Sequence, residues 1–147
     1  MKIKAIDEEY AIYGMLFSLS NRIQAIGDKE FEDITIKQHF LMMGLKLFER
    51  APTLKELSQL IGCSYQNVKR MAQHLEKEGY LQIIQDKADR RKLLLVSTDK
   101  IDGLAESSKE VATHFMENLY RGISQTDLEI TLRTLKKMDQ NIGGTIE

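Results

Sequence analysis

One cysteine, one proline and no tryptophan in 147 residues narrow the field at once. A single thiol, Cys63, cannot form an internal disulfide, which fits a reducing compartment rather than a stapled secreted scaffold. It follows a turn glycine where a small apolar side chain is wanted, so a core thiol is the plain reading and a redox sensor the sharper alternative. No stretch approaches the roughly 18 continuous apolar residues of a membrane span, and the N-terminus lacks the apolar run of a secretion signal. A cytoplasmic protein with no membrane partner is expected. The three histidines, His39, His74 and His114, are far apart and show no HExxH-type pairing. With no glycine-rich phosphate loop and no nucleophile elbow either, neither catalysis nor a metal or cofactor is expected. Linkers rich in Pro, Ser or Gly, repeats and low-complexity tracts are also missing, so residues 1–147 read as one domain. The net charge of −1 rules out a general basic coat and is the main compositional fact against nucleic-acid binding.

What is present is concentrated between Thr53 and Thr98. Thr53-Leu54-Lys55-Glu56 has the form of a capping box, in which hydroxyl and carboxylate each satisfy a free backbone N–H at a helix start. A short helix can begin at Leu54, with Leu57, Leu60 and Ile61 on one face and Gly62 supplying the left-handed residue that stops it. Ser64 is placed to cap a second helix, with Val68, Met71, Ala72 and Leu75 facing inward and Gly79 as terminator. The pattern is helix-turn-helix.

The outward face of that second helix carries Ser64 at its cap, then Tyr65, Gln66, Asn67, Lys69, Arg70 and Gln73. Amides and guanidinium groups pair bidentately with adenine and guanine edges, and Lys and Tyr hold phosphates, so the face suits a major groove. An ordinary solvated helix face has much the same composition, and the next segment decides between them. Leu81-Gln82-Ile83-Ile84-Gln85 and Lys92-Leu93-Leu94-Leu95-Val96 read as two short strands around a charged tip, Asp86 to Arg91. Lys87, Arg90 and Arg91 on a thin hairpin can reach a narrow minor groove, with Asp86 or Asp89 holding one arginine in place. From Cys63 to Lys92 there are seven Lys/Arg against four Asp/Glu, a local +3 within a chain of −1. Positive charge is therefore gathered where the groove-reading elements lie.

The run Asp86-Lys87-Ala88-Asp89-Arg90-Arg91-Lys92-Leu93-Leu94-Leu95-Val96-Ser97-Thr98 resembles the wing motif of the MarR family of winged helix-turn-helix transcriptional regulators. Leu75-Glu76-Lys77-Glu78-Gly79-Tyr80-Leu81 is similar to that family's link between recognition helix and wing, and Leu57, Ser58, Ile61, Gly62, Cys63, Val68 and Met71 match its helix-turn-helix. Lys87 stands where a proline is common, Ser97 where an apolar residue is usual and Ile101 where a glycine often follows. The resemblance implies a mainly α fold with a small β-hairpin wing (α+β), a DNA-binding core over about residues 35–98, and helical dimerisation segments at about 5–27 and 98–143.

The flanking segments suit that plan. Asp7, Glu8 and Glu9 place acids at a helix start. Ile12, Met15 or Leu16, Leu19, Ile23 and Ile26 then form an inward stripe that ends at Gly27, with Tyr10, Tyr13 and Phe17 on the other sides. A helix apolar around most of its girth needs cover on more than one face, which points to dimerisation. Residues 27–34 read as a loop. A second capping box, Thr35 to Gln38, starts a helix running through Phe48. After the wing, Thr98 and Asp99 cap a long helix with Ile101, Leu104, Val111, Phe115 and Leu119 inside. Ser124 opens a last one, with Leu128, Leu132, Leu135, Met138 and Ile142 close to a heptad seam.

The expected function is a homodimeric, sequence-specific regulator of transcription, a repressor, bound to a pseudo-palindromic duplex. The competing reading is a winged-helix protein-interaction module, for which Arg90 and Arg91 together with Lys69, Arg70 and the amides of Gln66, Asn67 and Gln73 would have no use. The resemblance further implies a small lipophilic or phenolic effector. Tyr13, Phe17, His39, Met42 and Met43 are its candidate contacts, with Phe40 beside them, although plain core packing explains such residues as well.

Overall fold

The computed structural model describes residues 5–144. Along the chain it forms α1 (Glu8–Glu30), α2 (Ile36–Lys46), α3 (Leu54–Leu60), α4 (Tyr65–Lys77), β1 (Leu81–Gln85), β2 (Leu93–Ser97), α5 (Asp99–Ser107), α6 (Lys109–Leu119) and α7 (Gln125–Asn141). The chain divides into two units, Met1–Lys37 and Gln38–Glu147, with the boundary inside α2.

In the first unit α1 starts on Glu8 and Glu9 as the acids predict, but it does not stop at Gly27. Gly27 lies inside the helix and is buried, and a Cβ there would stand 2.8 Å from the Ile36 side chain. That glycine serves close approach, and the expected 27–34 loop shrinks to the few residues after Glu30. Asp28 turns its carboxylate forward, where Oδ1 accepts the Ile36 N–H at 2.7 Å and fixes the first turn of α2. The stripe expected to face inward is open: Ile12, Met15, Leu16, Leu19 and Ile26 are each more than a third exposed.

The second unit holds the central core. Leu41, Leu54, Leu57, Val68, Ala72, Leu75, Leu81 and Leu95 are 0–1% exposed. Gly44 lets α2 cross close to α3, since a Cβ there would meet the Leu57 and Ile61 side chains at 3.0 Å. α2 ends at Lys46, a little short of the expected Phe48, and Leu47 points to solvent.

The capping box forms with both bonds, Glu56 N–H to Thr53 Oγ1 at 3.1 Å and Thr53 N–H to Glu56 Oε2 at 2.7 Å. Arg50 also pairs with the Glu56 carboxylate. The guanidinium and the Thr53 N–H both favour the anion and lower its pKa from 4.5 to about 2. A depressed carboxyl contributes stability in full above its unfolded value and loses it as the pH falls through the folded one. Wild-type stability should therefore drop between pH 4.5 and about 2 in a step that Glu56→Gln lacks. At neutral pH that variant should be less stable by about 1 kcal/mol, a figure discounted for partial exposure. Urea titrations across this pH range check both.

Gly62 and Gly79 take φ of +65° and +80° as the turns require. Cys63 N–H reaches Ser58 O at 3.1 Å and Tyr80 N–H reaches Leu75 O at 2.9 Å, which closes both helix ends in the Schellman manner. Ser64 caps α4 as predicted, accepting the Asn67 N–H at 3.3 Å. β1 and β2 pair antiparallel with Ile83 opposite Leu95, and β2 runs one residue later than expected. Thr98 N–H donates to Tyr80 O and Asp86 N–H to Lys92 O, both at 3.0 Å, so the alternation turns the N–H groups of Ile83 and Leu95 away from the hairpin. On the β2 side Pro52 O accepts the Leu95 N–H at 2.9 Å, and Thr53 bridges to Leu94.

Thr98 occupies the cap position of α5 without capping it: its hydroxyl donates to Gly79 O at 2.6 Å and Tyr80 O at 3.1 Å, tying the wing's exit to its entry. The long helix expected after the wing is broken between α5 and α6. Ser107 and Ser108 both turn their hydroxyls back onto Leu104 O, at 3.1 and 2.7 Å, beside the Ser108 N–H that the same carbonyl accepts at 2.9 Å, a crowding of one acceptor of the kind that bends helices. Ile101 and Leu104 are buried, whereas α6 and α7 bury nothing fully. Ser124 starts α7 as predicted, accepting the Asp127 N–H at 3.1 Å. On the heptad seam of α7, Leu132, Leu135 and Ile142 remain exposed.

Candidate nucleic-acid interface

α4 has one fully buried side, Val68, Ala72 and Leu75, and one polar side. Tyr65, Gln66, Asn67, Arg70 and Gln73 are exposed and Lys69 half-buried, so the structure puts the predicted face in solvent as one surface. Arg70 Nη2 donates to Asn67 Oδ1 at 3.3 Å, a contact one turn along the helix that holds a guanidinium and an amide side by side. Ser64 is spent partly on the helix start, because its hydroxyl takes the Asn67 N–H.

At the hairpin tip the two acids divide their work. Asp86 Oδ1 accepts the Ala88 N–H at 2.8 Å and shapes the turn. Asp89 grips Arg91 with both oxygens, Nε to Oδ1 at 3.1 Å and Nη2 to Oδ2 at 3.2 Å, and also accepts the Arg91 N–H. These bonds hold the Asp89 carboxyl below the usual carboxylate range. The arginine held by an acid is therefore Arg91, and the acid is Asp89. Arg90 and Lys87 are exposed and have no ion pair among the described residues, which leaves Arg90 as the unneutralised guanidinium of the tip.

One contact between α4 and the hairpin was missed by sequence reasoning. Glu76, in the last turn of α4, extends its carboxylate to the outward Ile83 N–H of β1 at 2.7 Å. A seven-residue separation across a turn has no periodic signature. Only the strand register shows that this N–H needs a partner.

The candidate effector residues fall into two sets. Tyr13 and Phe17 stack edge to face on α1, ring centres 5.1 Å apart, and both are exposed. His39, Met42 and Met43 line a cavity of about 70 Å³ between α2 and α5, together with Lys46, Ile101 and Leu104. Phe40 is half-exposed and not on that wall. Burial lowers the His39 pKa and favours a neutral imidazole. At the cavity's edge Lys46 Nζ pairs with Asp102 at 3.0 Å. Cys63 is half-buried. Among the described residues no cluster of His, Cys, Asp or Glu is arranged for a metal, and no helix is long and apolar enough to cross a membrane.

A two-strand hairpin following a helix-turn-helix defines a winged helix. No protein-family model matches the chain. Solved structures do match it. A MarR protein from Peptoclostridium difficile superposes with a TM-score of 0.80 at 24% identity over 97% of this chain and 92% of the other. The Staphylococcus aureus MepR–DNA complex gives 0.76 at 18% identity, over 93% and 99%. Bordetella bronchiseptica BpsR, described by the regulation of its DNA binding by 6-hydroxynicotinic acid, gives 0.75 at 21%, over 88% and 98%. The fold of this chain is the MarR-type winged helix.

Proposed function

We propose that the chain is a MarR-family regulator of transcription, a homodimer that binds a specific pseudo-palindromic duplex and acts as a repressor. The observation that carries the reading is the exposed amide and guanidinium face of α4 on the same winged unit as the unpaired Arg90. Likeness to a regulator crystallised with DNA supports it. No catalytic activity is proposed. The apolar faces of α1 and α7 support dimerisation, because Leu16, Leu19, Leu132 and Leu135 remain more than a third exposed. Two-fold symmetry would set the recognition helices roughly 34 Å apart, in successive major grooves. A small lipophilic or phenolic effector, held by residues among Tyr13, Phe17, His39, Met42 and Met43, would release DNA only by binding the non-binding conformation more tightly.

Selection of duplexes from a randomised pool tests the class and the symmetry together. The expected product is an inverted repeat bound by two copies. Affinity should fall steeply with salt, with a slope near −5 in log units for about six phosphate contacts. Replacement of Gln66 or Asn67 by Ala should change the selected bases while leaving the salt slope nearly intact. An unaltered preference after both substitutions would remove these residues from base reading. Failure of the wild-type chain to retain any duplex in dilute buffer would favour a protein-binding wing.

A further inference from the structure

We infer that Glu76 is a positioning residue that holds the wing at a fixed angle to the recognition helix, so that α4 and the hairpin tip meet one duplex together. The inference rests on the DNA-binding reading above. It starts from the hairpin register. Ile83 and Leu95 form a non-hydrogen-bonded pair, so each strand presents one N–H to its outer side at mid-length. β2 delivers its N–H to Pro52 O, and β1 delivers its own to Glu76 Oε1 at 2.7 Å.

Apart from the contacts of Pro52 and Thr53 with β2, the hairpin's ties described above lie at its root. Thr98 bonds the carbonyls of Gly79 and Tyr80, and Lys100 bonds Glu78 O while its ammonium sits 4.4 Å from the centre of the Tyr80 ring. Ile83 is three residues further out, roughly 10 Å along the strand, where a small angular error would be carried on to the tip. On the α4 side, the Glu76 carboxylate makes a polar contact at that level. Its charge makes the position informative. A carboxylate beside a phosphate-binding surface repels DNA, so a purely solvated Glu76 would weaken binding and its removal would help. A carboxylate that aims the wing does the opposite.

The test uses a duplex selected by the wild-type chain from a randomised pool, with Glu76→Ala, Glu76→Gln and Glu78→Ala compared at a temperature where circular dichroism shows all of them folded. Glu76→Ala should bind about tenfold more weakly. It should also lose hydroxyl-radical protection at the outer minor grooves while keeping the protection given by α4. Glu76→Gln retains an oxygen that can accept the Ile83 N–H and should stay within about threefold of wild type. Glu78→Ala makes the same charge change one residue beyond the helix and should bind as well as wild type or better. If Glu76→Ala and Glu78→Ala move affinity together with an unchanged footprint, Glu76 is only a charge and the inference fails. Exchange of the Ile83 amide gives a reading without DNA: protection in wild type that is lost in Glu76→Ala supports the tie, and equal exchange refutes it. If wild type binds no duplex while that amide is protected, the DNA-binding reading fails and takes the positioning role with it, although the contact itself is real.

Discussion

Arg90→Ala is expected to weaken DNA binding by about ten- to hundredfold, with little dependence on which duplex is offered. Arg90 sits at the hairpin tip with no acidic partner among the described residues, in contrast to Arg91, whose charge is already shared with Asp89. A narrow minor groove attracts such a guanidinium through its enhanced potential rather than through a base code, so the loss should be general. The slope of log affinity against log salt should become shallower by about one unit. Because the side chain is exposed and holds nothing in place, the unfolding midpoint should not move. Anisotropy titrations at several salt concentrations measure affinity and slope together. Unchanged values would take the wing tip out of the interface.

Leu57→Ala should produce the largest loss of stability, about 2–5 kcal/mol. Leu57 is fully buried on α3, and it lies against α2 at the place where Gly44 has no side chain. Truncation leaves a cavity between two helices whose backbones are already close and have little room to collapse further. The thermal midpoint should fall by about 10 °C, given a few degrees per kcal/mol for a domain of this size. DNA binding should fail at temperatures the wild type tolerates, because α3 is part of the bed on which α4 rests. A Gly44→Ala change should cost less in this background than in wild type, since its methyl would enter space that Leu57 had filled. A urea midpoint equal to that of the wild-type chain would refute the packing argument.

The winged core could be read from the sequence because its signals are local. The capping box at Thr53, the cap at Ser64, the left-handed Gly62 and Gly79 and the two apolar runs around a charged tip are each set within a few residues, and each appears, the second run shifted by one residue. The errors came where distant residues decide. Gly27 has the look of a helix stop, yet it lies inside α1, where its missing side chain leaves room for Ile36. Thr98 has the right place for a cap, but two carbonyls at the wing's entry claim its hydroxyl. Ser107 and Ser108 are a different case, ordinary helix residues in a periodicity count whose hydroxyls turn back locally onto Leu104 O where α5 ends.

The candidate interface follows the same rule. The residues of the α4 face follow from helical period alone, and the structure presents them together in solvent. Which acid holds which arginine does not follow from period, because Asp86 and Asp89 are equivalent in sequence and only turn geometry separates them. Glu76 lay outside reach altogether. Its role depends on the direction of one N–H in a strand that begins after the turn.

The occupied flanks of the hairpin also bear on how the protein behaves in a crowded solution. A two-stranded sheet normally offers a bare row of donors and acceptors on either side, a template onto which another chain can add. Here the segment at Pro52 and Thr53 lies along β2, and a negative charge stands at the middle of β1. The apolar strands that build the wing are thus poor seeds for stacking into aggregates, and the chain can keep a thin, protruding finger without inviting its neighbours to extend the sheet.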